Sequence, residues 1–195
     1  MRLSIGEHFL GFHGNDTLMD LLPLSESDKS WQSLQAQWRG ESADLKDDFS
    51  TFAVGTFGAL NPLAQEDVAK SGLYGLHDGK SFKAFCQVTR LLMKGYDSPV
   101  LRARFATVSP KFDLGTHNMA DYVQVLTHLF SGIVWLARSR MPAKHVRFHL
   151  RSPADAQYFF GLASTNLEEN PFSKFEIRGA WIECTIRVVS LQAQH

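Results

Sequence analysis

The sequence predicts a single α+β domain in which a small, mixed, mostly antiparallel sheet packs against several helices. Three observations carry that expectation. A chain of 195 residues that is 44% hydrophobic has room for one sizeable core. Apolar and polar residues alternate near positions 100, 146, 175 and 185, the period of half-buried strands. Other segments repeat their apolar residues every three or four positions, the period of amphipathic helices.

Taken in order, residues 1–56 read as an irregular, partly helical segment packed on a core formed by residues 57–195. Helices are expected over 28–39 and 43–52, after the loop GFHGNDTL. A short helix should start at Asn61 as cap, with Pro62 in its first turn, and stop at Gly72. The run HDGK, His77 to Lys80, has the Asp and Gly of a turn. From Ser81 as cap, Phe82, Phe85, Val88, Thr89 and Leu92 fall on one helical stripe that Gly95 ends.

A strand follows, with Leu101, Ala103 and Phe105 set against Arg102, Arg104 and Ala106. The longest helix should cover 117–141, where Met119, Tyr122, Val123, Leu126, Leu129, Phe130, Ile133, Val134 and Ala137 share a wide apolar face and Pro142 closes the element. Its internal Gly132 suggests close packing on more than one neighbour, as the central helix or in a dimer surface. Val146, Phe148 and Leu150 then form a strand that runs straight into a helix. Ser152 and Asp155 supply a capping box there and Pro153 the first turn. After the polar loop STNLEENP, strands are expected over 172–179 and 180–191, the second with Ile182, Cys184, Ile186 and Val188 inward.

Twenty Lys and Arg balance twenty Asp and Glu, so no global field favours nucleic acid or an anionic membrane. The N-terminal stretch lacks a long apolar core after Arg2, and no run is long enough to span a bilayer. These features point to a cytoplasmic protein with no direct nucleic-acid contact and no membrane association. Cys86 and Cys184 sit in apolar runs far apart and read as reduced core thiols. Walker, GxGxxG, G-x-S-x-G and HExxH patterns are all absent, as is any cysteine cluster suited to zinc. No metal and no cofactor are therefore expected. His145 and His149 share a strand face, but no third ligand accompanies them, and His117 and His128 read as helix-surface residues or cap neighbours.

The chemistry-bearing positions are cationic. Arg102 and Arg104 on one strand and Arg147, His149 and Arg151 on or beside another can share one sheet face if the two strands pair. Such a face would bind a phosphate or carboxylate, and the expected ligand contacts are Arg104, Arg147, His149 and Arg151. The same pattern also describes the solvated side of a sheet, balanced by Glu176 and Glu183 on later strands.

Two patches resemble the N-terminal effector-binding domains of AraC-type transcription regulators. In GLYGLHDGKSFKAFCQVTRLL, Gly72, Leu73, Gly75, Ser81, Phe82 and Ala84 occupy the places of a glycine-containing turn leading into a Ser-initiated helix. In KHVRFHLRSPADAQYFFG, Val146, Phe148, Pro153, Tyr158, Phe160 and Gly161 are similar to that family's strand, Pro, Tyr and Phe-Gly order. The spacing HLRSP departs from the family, and its helix-turn-helix units have no counterpart in this sequence. The resemblance implies a non-enzymatic sensor and dimerisation domain of a transcription regulator, with a small-molecule effector, suited to an anion, and a homodimer as its partners. Two other readings stand beside it. One is a protein-interaction module or subunit of a secretion or phage-like assembly. The other is a small enzyme using His149, Asp113 or Glu183.

Overall fold

The structure, a computed structural model, describes residues 19–65, 70–115, 117–160 and 171–187. His8, His13, the loop 11–18, Gly161, Val188 and all but Pro171 of the polar loop 164–171 lie outside them. Among the described residues seven strands form one sheet: β1 (Asp20–Leu24), β2 (Ser71–His77), β3 (Phe82–Leu91), β4 (Val100–Val108), β5 (His145–His149), β6 (Phe172–Arg178) and β7 (Trp181–Ile186). Their order is β1-β2-β3-β4-β5-β7-β6. Every neighbouring pair is antiparallel except β4 and β5, which run parallel. The α+β, mostly antiparallel, single-domain architecture expected from the sequence is what the chain adopts.

Parallel neighbours need a crossover, and the helix α4 (Met119–Arg138) supplies it. Its start is fixed by a capping box in which the Asn118 side chain accepts from the Asp121 amide and the Asp121 carboxylate accepts from the Asn118 amide. One broad face of α4 buries Val125, Leu126, Leu129, Phe130, Ile133, Val134 and Ala137 against Leu101, Ala103, Val146, Phe148 and Ile182 of the sheet. Gly132 lets α4 come close to β1: a Cβ there would lie 2.9 Å from the Leu21 Cβ. The helix is therefore central, as its wide apolar face suggested.

The described residues cover the opposite face of the sheet only in part. The helices α1 (Ser30–Asp44) and α2 (Val54–Leu60), with a 3₁₀ turn at Asn61–Gln65, close a second core over β1–β3 around Trp31, Leu34, Trp38, Phe57, Leu73 and Phe85. Trp31 donates its indole N–H to the Asn61 side chain at 2.9 Å, and Trp38 donates to the Phe82 carbonyl at 3.2 Å. Two short helices follow strands, α3 (Pro110–Asp113) after β4 and α5 (Pro153–Gln157) after β5. The expected capping box of Ser152 and Asp155 is present at α5. Cys86 and Cys184 are free and buried, as core thiols should be.

Several local expectations are corrected. Residues 82–91 form strand β3, not a helix, because this strand is buried on both faces: Ala84, Cys86 and Val88 enter the α4 core while Phe85 enters the α1 core. Continuous burial removes the period-2 signature and leaves spacing that imitates a helix. The HDGK run does turn, but into a hairpin. The Asp78 carboxylate accepts from the Lys80 and Ser81 amides, and Gly79 takes φ 89°. Residues 61–65 make only a 3₁₀ turn, and 43–52 hold the end of α1 and turns rather than a second helix. Phe105 does not join Leu101 and Ala103. An extra residue on β4 opposite β3, with Phe105 at φ 56°, reverses the alternation, so that Ala106 and Val108 point to the α4 core instead. No helix of the described residues is long and apolar enough to cross a membrane.

Candidate functional site

Strands β4 and β5 pair for only four residues, from Val100 opposite His145 to Ala103 opposite Phe148. Beyond Ala103 the bulge at Phe105 turns β4 aside, while β5 ends at His149. The edge of β4 from Arg104 to Thr107 thus has no ladder partner on its β5 side among the described residues. A cavity of about 420 Å³ opens at this divergence, lined by Arg104, Phe105, Ala106 and Thr107 of β4 and by His149, Leu150 and Arg151 at the end of β5. Trp181 of β7, Asp113 of α3, and Phe52, Ala53 and Thr56 at the start of α2 complete the walls. The carboxyl ends of parallel strands are where crevices in mixed sheets accept ligands.

Each polar wall residue has a defined setting. Arg151 and Asp113 form an ion pair across the mouth. The Arg104 guanidinium lies 5.3 Å over the Phe105 ring and donates to the Gln87 side chain at 3.3 Å. His149 packs against Trp181 with ring centroids 4.4 Å apart and the planes tilted by 51°. Burial, then the positive charges of Arg104 and Arg147, push the His149 imidazole below its ordinary value. It is therefore neutral near pH 7, with a ring nitrogen able to take a proton.

The four expected contacts are split by the structure. Arg104, His149 and Arg151 meet around the cavity, whereas Arg147 lies on the same sheet face outside its wall. Arg147 forms an ion pair with Glu183 of β7 at 2.8 Å and sits 4.5 Å over the Trp181 ring. Among the enzyme candidates, Asp113 and His149 line the cavity and Glu183 does not. The balance expected from Glu176 fails as well, because Glu176 pairs with Lys174 and Arg178. His145 turns to Asp97 and Thr185 instead of toward His149, and no group of three metal-binding side chains occurs among the described residues. Sequence reasoning passed over Phe105, Thr107, Trp181 and the residues at the start of α2. Only the aromatic Trp181, two positions before Glu183 on one strand face, left a trace in the alternation.

No protein-family model matches the sequence, and no curated protein does. Solved structures do. A probable acetyltransferase from Staphylococcus epidermidis ATCC 12228 is 11% identical with TM-score 0.47, over 87% of this chain and 97% of that one. An acetyltransferase from Streptococcus agalactiae 2603 is 11% identical with TM-score 0.43, over 87% and 98%. An aminoglycoside acetyltransferase from an uncultured soil metagenomic sample, in complex with sisomicin, is 10% identical with TM-score 0.42, over 82% and 95%. The AraC resemblance is corrected, since its turn-to-helix patch 72–92 is the β2–β3 hairpin. The transcription-regulator role, the effector and homodimer partners and the non-enzymatic reading are withdrawn with it.

Proposed function

We propose that the chain is an acyl-transfer enzyme and that the gap between β4 and β5 is its active site. The observation that carries this reading is the divergence of two parallel strands beside the His149 imidazole. The open edge of β4 suits an extended, amide-bearing chain, which can add to it as a strand and lay a thioester along the apolar wall of Phe105, Ala106 and Leu150. The neutral His149 imidazole then takes the proton of an attacking amine. The amine nitrogen bonds to the thioester carbonyl carbon, the carbon–sulfur bond breaks, and the imidazolium returns its proton to the departing thiolate. Arg104 and Arg151 are positioned to hold polar groups of the two substrates.

A nucleotide-bearing acyl carrier such as coenzyme A brings a diphosphate, and the start of α4 does not suit one. Asn118 already occupies an amide of its first turn, and the Asp121 carboxylate places negative charge at the end where an anion would dock. The donor is accordingly written as an acyl thioester, and no step runs through a nucleotide. Buried, reduced cysteines support a cytoplasmic setting for this chemistry.

The test is thiol release. The purified protein is mixed with a simple acetyl thioester and a panel of amines, and free thiol is followed with a chromogenic disulfide. Turnover is expected, and His149→Gln should lower it by about 10²- to 10⁴-fold while the melting temperature holds. Absence of turnover across donors and amines would sink the reading.

A further inference from the structure

The sheet face beneath the cavity carries a charge imbalance that the fold does not resolve. Arg102 of β4 stands directly opposite Arg147 of β5, and Arg104 lies two positions on from Arg102 along the same face. Like charges set opposite each other on a sheet face are destabilising. Two carboxylates continue this row: Glu183 is taken by Arg147 and also accepts from the Tyr96 hydroxyl at 3.3 Å, and Glu176 beyond it pairs with Lys174 and Arg178. Among the described residues no carboxylate pairs with Arg102 or Arg104, and the Arg102 side chain has no hydrogen-bond partner there. The Nε atoms of Arg102, Arg104 and Arg147 are all buried without an acceptor. A buried donor left unpaired is costly, and three on one face, beside two uncompensated charges, form a site short of an anion.

We infer that Arg102 and Arg104, flanked by Arg147, form a recognition site for an anionic group, a carboxylate or a phosphate, carried by the acceptor substrate. The inference rests on the acyl-transfer reading for the word acceptor, while the anion site itself stands on the arginines. Guanidinium forks match the paired oxygens of both groups, and an oxyanion would give the orphaned Nε donors their partners. Because Arg104 belongs both to this row and to the cavity wall, an anion held here leaves the rest of its molecule pointing into the gap beside His149.

The experiment follows thermal unfolding at low ionic strength with inorganic phosphate or succinate added, against sodium chloride at matched ionic strength. Phosphate or succinate is expected to raise the melting temperature of the wild type by about 3 °C more than chloride does. Arg102→Gln should lose that gain, and its own melting temperature without added anion should equal or exceed that of the wild type, since a repelling charge has gone. An equal gain in Arg102→Gln, or no gain over chloride in a folded wild type, overturns the inference. So does a variant that melts well below the wild type without anion, because the arginine would then be structural. Preference for one of the two anions assigns the group as phosphate or carboxylate. Anion stabilisation without any thiol release overturns the acyl-transfer reading alone. Thiol release that favours neutral amines over amines bearing carboxylate or phosphate overturns the acceptor assignment alone.

Discussion

Phe105 is the residue on which the site turns. A bulky side chain at φ 56° is uncommon, and such strain of about 1–3 kcal/mol persists only where surrounding packing holds it. Phe105 packs against the second core and takes the Arg104 guanidinium over its ring, so the bulge is locked from two sides. The alternation of Leu101, Ala103 and Phe105 gave no warning, because a bulge depends on the partner strand rather than on local pattern. The arginines were legible for the opposite reason: Arg102, Arg104, Arg147 and His149 keep strict alternation up to the point of divergence. Arg147→Ala should destabilise the fold by about 2 kcal/mol in urea unfolding, since it strands Glu183, which is largely shielded from solvent, and uncovers Trp181. His149 makes a pH prediction. Its pKa is lower folded than unfolded, so the unfolded chain binds the extra proton. Stability from this group is complete above about pH 6.5 and declines as pH falls toward the folded value, and His149→Gln should flatten that decline in a melting-temperature profile.

Among the elements, α4, β5 and β7, each with one solvent face, were readable; β3, buried on both, was not, and the five-residue edge strand β1 went unread within the segment 1–56 expected to be irregular and partly helical, being too short to show a period. Helix α4 shows a wide stripe with polar residues behind it, and β5 and β7 alternate cleanly, as do their burial patterns. β2 and β3 have no such face over most of their length, so the periodicity that separates strand from helix is lost where the two cores meet. Caps were legible because they are local: the Ser152 and Asp155 box needs only a spacing of three residues. Gly132 shows what a local reading can yet predict about packing. Gly132→Ala would push a methyl group onto the Leu21 Cβ, which cannot swing away, and should cost about 1–3 kcal/mol despite the higher helix propensity of alanine. Calorimetry on that variant decides whether α4 can shift to admit the methyl.

At the scale of the whole molecule, the described residues sandwich the sheet on its β1–β3 side and back it on one face only on its β4–β6 side, which leaves the cationic face uncovered by them. The two cores are not independent domains. Phe85 and Cys86 are adjacent on β3 and belong to different cores, so one cannot loosen without disturbing the strand that carries both. Unfolding in denaturant should therefore give one transition, with emission from the buried Trp31 and Trp38 coinciding with loss of far-ultraviolet circular dichroism. Separate midpoints would show that α1 and α2 are a detachable cover. The order of strands also has a consequence for synthesis. β7 follows β6 in the chain yet lies between β5 and β6, so β5 keeps one raw edge while the ribosome is still adding the hairpin that will close it. The nascent protein carries its finished α4–β4–β5 unit with an unpaired interior strand, and that interval is when this chain most needs a chaperone.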